Sequence, residues 1–249
     1  MDTGGRFLSI DPMAEKFYHL SPYAYCAGDP VNLVDPDGKD IIVVIWTTGT
    51  ENNGVGHAGV AISNYKKEKY VEYDAKGVEI EKFRIIPDGT YTFYDNWPKG
   101  LVNFDLKGAI TSVEAHRNVT EINSLEEFTN GSTVSPSEDY APNAILKLST
   151  SHEQDMAVSE RLLKANVKNK EYNGAWYNCS SYVSDGLKAI FGKTIGKEGI
   201  LGPIRSVTPN QLWKDVLKYA DKAGIPYCIL KDPGSFIDKK FKTFIKEGK

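Results

Sequence analysis

"AWYNCSSYVSDGLKAIF", residues 175–191, sets a cysteine where a loop becomes a helix, behind an aromatic pair and an asparagine. Cys179, Val183, Leu187 and Ile190 fall at helical spacing, so a helix here turns one apolar stripe to a core, with the cysteine at its first turn. Backbone N–H groups of a first turn have no partner inside the helix, and the aligned peptide dipoles favour an anion there. Both effects lower a thiol pKa and make the thiolate a nucleophile. The same N–H groups, that of Cys179 included, are placed to bond a developing oxyanion. Alone, the stretch fits a nucleophile and a buried apolar filler equally well.

A nucleophilic cysteine needs a base, most often histidine, and a third polar group to orient it. The chain has four histidines. His19 belongs to a Tyr-rich leader, His152 to the capping turn of a helix, and His116, between Glu114 and Arg117, reads as a solvated strand face. His57 differs. In "NGVGHAGVAIS" (53–63) it opens a strand among Gly56, Ala58 and Gly59, where small residues let a backbone, a helix end or a substrate approach. A hairpin to "KYVEYDA" (69–75) through the polar "NYKKEK" brings a partner strand on which Glu72 and Asp74 share a face. Either carboxylate suits the orienting role. A tight turn places Glu72 opposite His57, so Glu72 is the expected orienter and Asp74 the alternative.

Around these pieces the chain reads as α+β. "DIIVVIW" (40–46) is a continuous apolar run, hence a buried strand, and "VEIEKFRII" (78–86) and "AILKLS" (144–149) are further strands. Residues 87–143 read as an insertion, with strands in "GTYTFYDNW" and "AITSVEAHRNV" and a long loop after them. Ser151 and Gln154 have capping-box spacing before a helix whose expected apolar side is Met156, Leu162, Leu163 and Val167. A last helix starts with Thr208 as cap, Pro209 at its first position and Gln211 closing the box, and stops at Gly224. The tail, 238–249, is basic.

Bulk properties narrow the function. At 249 residues, 41% hydrophobic and 25% charged, the chain can build a proper core. A net charge of -3 without a long basic run gives no footing for nucleic acid. No apolar run is long enough to span a bilayer, and no signal peptide opens the sequence. Three scattered cysteines, Cys26, Cys179 and Cys228, give no disulfide framework and no CxxC for zinc, so neither a metal nor another cofactor is expected.

Two resemblances add to this. "GRFLSIDP", "SPYAYCAGDPVNLVDPDG" and the closing Asp-Pro-Asp-Gly resemble the end of the Rhs/YD-repeat core. That resemblance implies that residues 1–39 close such a core, that Met1 falls inside a longer polypeptide, and that 40–249 is a variable effector domain. "GHAGVAI", "VEYD" and "YNCSSYVSDGLKAI", in that order, resemble the circularly permuted NlpC/P60 group of papain-like enzymes. It implies an antiparallel sheet packed with a nucleophile helix, and roles of nucleophile for Cys179, base for His57 and orienter for Glu72. Together they imply an antibacterial toxin delivered into a target cell by a specialised secretion system. Its activity would be cysteine-dependent amide hydrolysis of peptide or peptidoglycan, and a cognate immunity protein would be its partner. The alternatives are a lipid acyl hydrolase or acyltransferase of the same fold, and a non-enzymatic binding module.

Overall fold

The computed structural model describes residues 40–48, 56–99, 111–131, 134–135, 141–168, 171–201 and 204–238. The chain divides into two units, Met1–Gly38 and Lys39–Lys249, and every described residue belongs to the second. The Rhs-like leader, His19, Cys26 and nearly all of the basic tail lie outside the described residues.

The fold is α+β, built on a seven-stranded antiparallel sheet in the order β6-β4-β3-β2-β1-β5-β9. Its strands are β1 (Asp40–Trp46), β2 (His57–Tyr73), β3 (Glu79–Pro98), β4 (Val113–Ile122), β5 (Ala144–Ser149), β6 (Glu171–Tyr172) and β9 (Tyr227–Lys231). A separate pair, β7 (Lys197–Leu201) and β8 (Ile204–Val207), stands apart. The helices are α1 (Glu126–Thr129), α2 (His152–Lys168), α3 (Cys179–Phe191) and α4 (Pro209–Ala223).

The apolar run of β1 is continuous because both sides of that strand are covered. Ile41, Val43 and Ile45 pack with Ala58, Val60, Leu146 and Leu148 under α2, α3 and α4. Ile42, Val44 and Trp46 pack on the other side with Phe93, Ile122, Phe128 and Val134. The region expected as an insertion therefore splits into two parts: β3 and β4 widen the sheet, while α1 and Val134 close its second face.

Two expectations are corrected. "NYKKEK" is not a turn. β2 continues through it, with one register shift between Ser63 and Tyr65, and reverses only at Asp74–Val78. Asp74 Oδ1 accepts from the N–H groups of Lys76 and Val78 there, and Gly77 takes the left-handed φ of 79° that the turn needs. Residues 65–73 and 79–87 thus form a two-stranded arm beyond the reach of β1 and β4. The apolar side of α2 is also shifted. Asp155, Val158, Leu162 and Ala165 face inward, whereas Met156, Leu163 and Val167 are exposed. Asp155 is drawn in because it accepts hydrogen bonds from Tyr65 and Thr150, which satisfy its buried carboxylate.

Candidate active site

Cys179 is the first residue of α3, and the helix begins there because Asn178 caps it. The Asn178 side-chain oxygen accepts from Ser181 N–H at 2.9 Å, while its amide donates to Gly174 O, Ser206 Oγ and Val207 O. One side chain thus starts the helix and ties its end to the preceding turn and to β8. Gly192, at φ 73°, closes the other end.

His57 is the first residue of β2, and the glycines beside it answer to contacts. A Cβ on Gly56 would lie 2.7 Å from the Trp46 carbonyl oxygen, and one on Gly59 would lie 2.2 Å from Phe93 Cζ. The imidazole is buried between two indoles, stacked on Trp97 at 4.1 Å and tilted against Trp46 at 5.1 Å. Its Nε2 donates to Asp95 Oδ2 at 3.1 Å. That leaves Nδ1 for the Cys179 thiol, its hydrogen-bonding and electrostatic neighbour.

Asp95, fully buried on β3, also accepts from Trp97 Nε1 at 3.0 Å and from Ser135 Oγ. Trp97 therefore holds both members of the pair, stacking on the imidazole and bonding to the carboxylate. Ser135 comes from the segment after α1, so the former insertion reaches into the site.

The electrostatics are those of an ion pair. Burial alone disfavours the charged forms, yet the Cys179 charge and the Asp95 hydrogen bond raise His57 to about 10. Burial likewise opposes the thiolate, but His57, the Ala58 N–H and the Ser180 hydroxyl carry the Cys179 pKa below its ordinary value. Asp95, despite its burial, is held below the usual carboxylate range by His57, Ser135 and Trp97. Tyr172, on β6, completes the surroundings. Its buried hydroxyl is hydrogen-bonded to both the side chain and the backbone of Cys179, and burial beside that thiolate pushes its pKa well up.

Of the residues anticipated from sequence, Cys179 and His57 are brought together and Glu72 is not. Glu72 sits near the tip of the exposed arm, opposite Ile80 and bonded to Lys82, which lowers its pKa. It lies fifteen residues along β2 from His57, on the order of 50 Å at strand rise. Asp74 is used by the turn. The carboxylate beside His57 is Asp95, one strand further on, and the signal for it was "YDNW" (94–97), where an acid and an indole alternate onto one face of a strand. His116 is exposed on β4 and His152 packs edge-on to Tyr65, so neither joins the site. Among the described residues, no group of acidic, histidine or cysteine side chains could hold a metal ion, and no helix is long and apolar enough to cross a membrane.

No protein-family model matches the chain, and no curated protein or solved structure matches it either.

Proposed function

We propose that this protein is a cysteine-dependent acyl hydrolase that cleaves amide bonds, with Cys179 as nucleophile, His57 as acid and base, and Asp95 as orienter. The observation that carries the reading is the buried thiol–imidazole–carboxylate series, whose pKa shifts favour a thiolate–imidazolium pair.

The chemistry follows from the geometry. The thiolate attacks the acyl carbon, and the carbonyl electron pair moves onto oxygen. The Cys179 N–H and the Tyr172 hydroxyl, neighbours of the thiol, are the donors we assign to that oxyanion. Imidazolium gives its proton to the leaving nitrogen as the C–N bond breaks, leaving an acyl thioester. Water then attacks the thioester, His57 takes its proton, and the acid product departs as the thiolate re-forms. Asp95 fixes the tautomer and ring orientation throughout and stabilises the charged imidazole.

A sheet strand bearing the histidine and a later helix bearing the cysteine support the permuted papain-like architecture. The Rhs-like leader supports an antibacterial effector role within a longer polypeptide, with delivery into a target cell and a cognate immunity protein that covers the cleft. The test is growth of bacteria expressing the full chain, in the cytoplasm or with an export signal, beside Cys179→Ala. Toxicity abolished by the substitution is expected, and the compartment in which killing occurs narrows the substrate. Equal toxicity of both forms would sink the nucleophile assignment.

A further inference from the structure

The end of α3 remote from Cys179 borders a cavity of about 370 Å³, open where the last turns of α3 and α4 meet. Phe191 stands twelve residues beyond Cys179, about 18 Å along the helix axis, so the cavity is separate from the site described above. Ile190 and Phe191 wall it from α3, Tyr219 and Ala223 wall it from α4, and the exposed Lys193 and Lys222 line it as well. Gly192, the left-handed cap of α3, adds to the opening: a Cβ there would meet nothing within 4 Å. The rings of Phe191 and Tyr219 stand 6.4 Å apart and are tilted by 48°, too oblique to stack on each other.

The charge around this space has one sign. Lys193 Nζ lies 3.7 Å from the Tyr219 ring centroid and Lys218 Nζ 5.6 Å from it. The Lys193 hydrogen bond, with the charges of Lys193 and Lys218, holds the Tyr219 phenol below its usual pKa. No acid lines the cavity. Neighbouring acids of α4 are engaged elsewhere: Asp215 accepts from Gly196 N–H and Gln211 Nε2, and Asp221 bonds to Tyr227. Lys214 of the same helix has an acid, Asp238 at 2.9 Å. Lys193, Lys218 and Lys222 pair with no carboxylate among the described residues. One cation at each helix C-terminus would answer the negative end of its dipole. A third ammonium beside the same ring, and an aromatic-walled space next to it, go beyond that requirement.

Ammonium groups act as point charges, and no guanidinium fork is present among the lining residues, so the set suits a compact anion of high charge better than a planar carboxylate. A phosphomonoester has that form, with a charge near -2 at neutral pH and three strong acceptor oxygens. The rings and Ile190 call for a flat apolar body attached to it. The volume lies near the lower end of small-molecule sites, about 300–1,000 Å³, which limits that body to one ring system. We propose that this cavity binds an aromatic phosphomonoester of mononucleotide size, its phosphate held by Lys193, Lys222 and the Tyr219 hydroxyl and its ring against Phe191 and Ile190. The proposal shares no residue with Cys179, His57 or Asp95 and does not depend on the hydrolase reading.

The experiment is calorimetric titration of the full chain, at neutral pH and low salt, with adenosine monophosphate, phenyl phosphate, inorganic phosphate and adenosine. At least one of the two aromatic phosphates is expected to bind tenfold or more tightly than inorganic phosphate and than adenosine, and the tighter of the two identifies the body as nucleoside or simple aryl. Lys193→Gln and Lys222→Gln are each expected to weaken that binding at least fivefold. Ala223→Leu, which fills the space without changing charge, is expected to do the same. Lys66→Gln, on the exposed arm, is expected to leave it unchanged. Equal binding of inorganic phosphate, equal binding of adenosine, no binding at all, or losses from Lys66→Gln that match those from Lys193→Gln would overturn the site. The substituted positions are exposed, and thermal unfolding checks that each variant folds. An inert Cys179 would leave every one of these titrations as expected.

Discussion

His57 Nε2 and Asp95 Oδ2 meet at 3.1 Å across neighbouring strands, although they stand 38 positions apart in the chain. The contact survives burial because Trp97 stacks on one partner and bonds to the other. Asp95→Asn removes the charge that supports the imidazolium while keeping the shape. The expected result is a loss of about tenfold or more in the alkylation rate of Cys179 at pH 6.5, since a thiol no longer paired with imidazolium is only about 1% thiolate there. Glu72→Gln is expected to leave that rate unchanged and to alter stability by less than about 0.5 kcal/mol, as for an exposed site. Rates that respond to Glu72 and not to Asp95 would reverse the assignment.

The pH profile carries a sign. A free cysteine, with a pKa near 8.5, is only about 1% thiolate at pH 6.5. Cys179 is shifted down and His57 up to about 10, so the ion pair persists across neutrality and gives way only when the imidazolium loses its proton. In a Cys26→Ser, Cys228→Ser background, iodoacetamide labelling is expected to be nearly flat from pH 6.5 to 9 and to change near 10. A rate rising tenfold per pH unit through that range would mean an ordinary thiol.

How far the sequence foretold this arrangement depends on what each residue was packed against. β1 was legible because burial on both faces leaves an unbroken apolar run. α4 was legible because Thr208, Pro209 and Gly224 are local signals, and each acts locally as expected. The carboxylate beside His57 was not. Glu72 and Asp95 are both carboxylates on strands, and only the position of the turn between them separates them. That turn was hidden because the arm has water on both faces, so "NYKKEK" lacks the alternation that marks a half-buried strand. The α2 stripe was misread for a related reason: a polar Asp155 occupies an inward position that periodicity assigns to apolar residues.

Gly59 tests the packing beside His57. An added Cβ would meet the Phe93 ring at 2.2 Å, so Gly59→Ala is expected to cost about 1–3 kcal/mol in urea unfolding. Combined with Phe93→Leu, which removes the obstructing ring, the cost is expected to fall below the sum of the two single changes. Strict additivity would show that the ring moves aside freely.

Asn178 joins helix start, preceding turn and β8, so its replacements should separate those roles. Asn178→Ala leaves the Ser181 N–H, the half-buried Gly174 carbonyl and the buried Val207 carbonyl without this partner, and a loss of about 2–4 kcal/mol is expected. Asn178→Asp keeps the capping oxygen but brings a negative charge beside Cys179. Thermal unfolding should place it between the alanine variant and the parent, while its labelling rate at pH 6.5 falls below that of the parent.

The arm's reversal at Asp74–Val78 lies between His57 on one side and Asp95 and Cys179 on the other. A chain cut there becomes two polypeptides, neither holding the complete site. The first fragment keeps β1 and β2, the second keeps the remaining strands and helices, and their pairing along β2–β3 and β1–β5 is what must re-form. Cys179 and His57 would then belong to separate molecules, and the proposed chemistry would become a readout of their reunion.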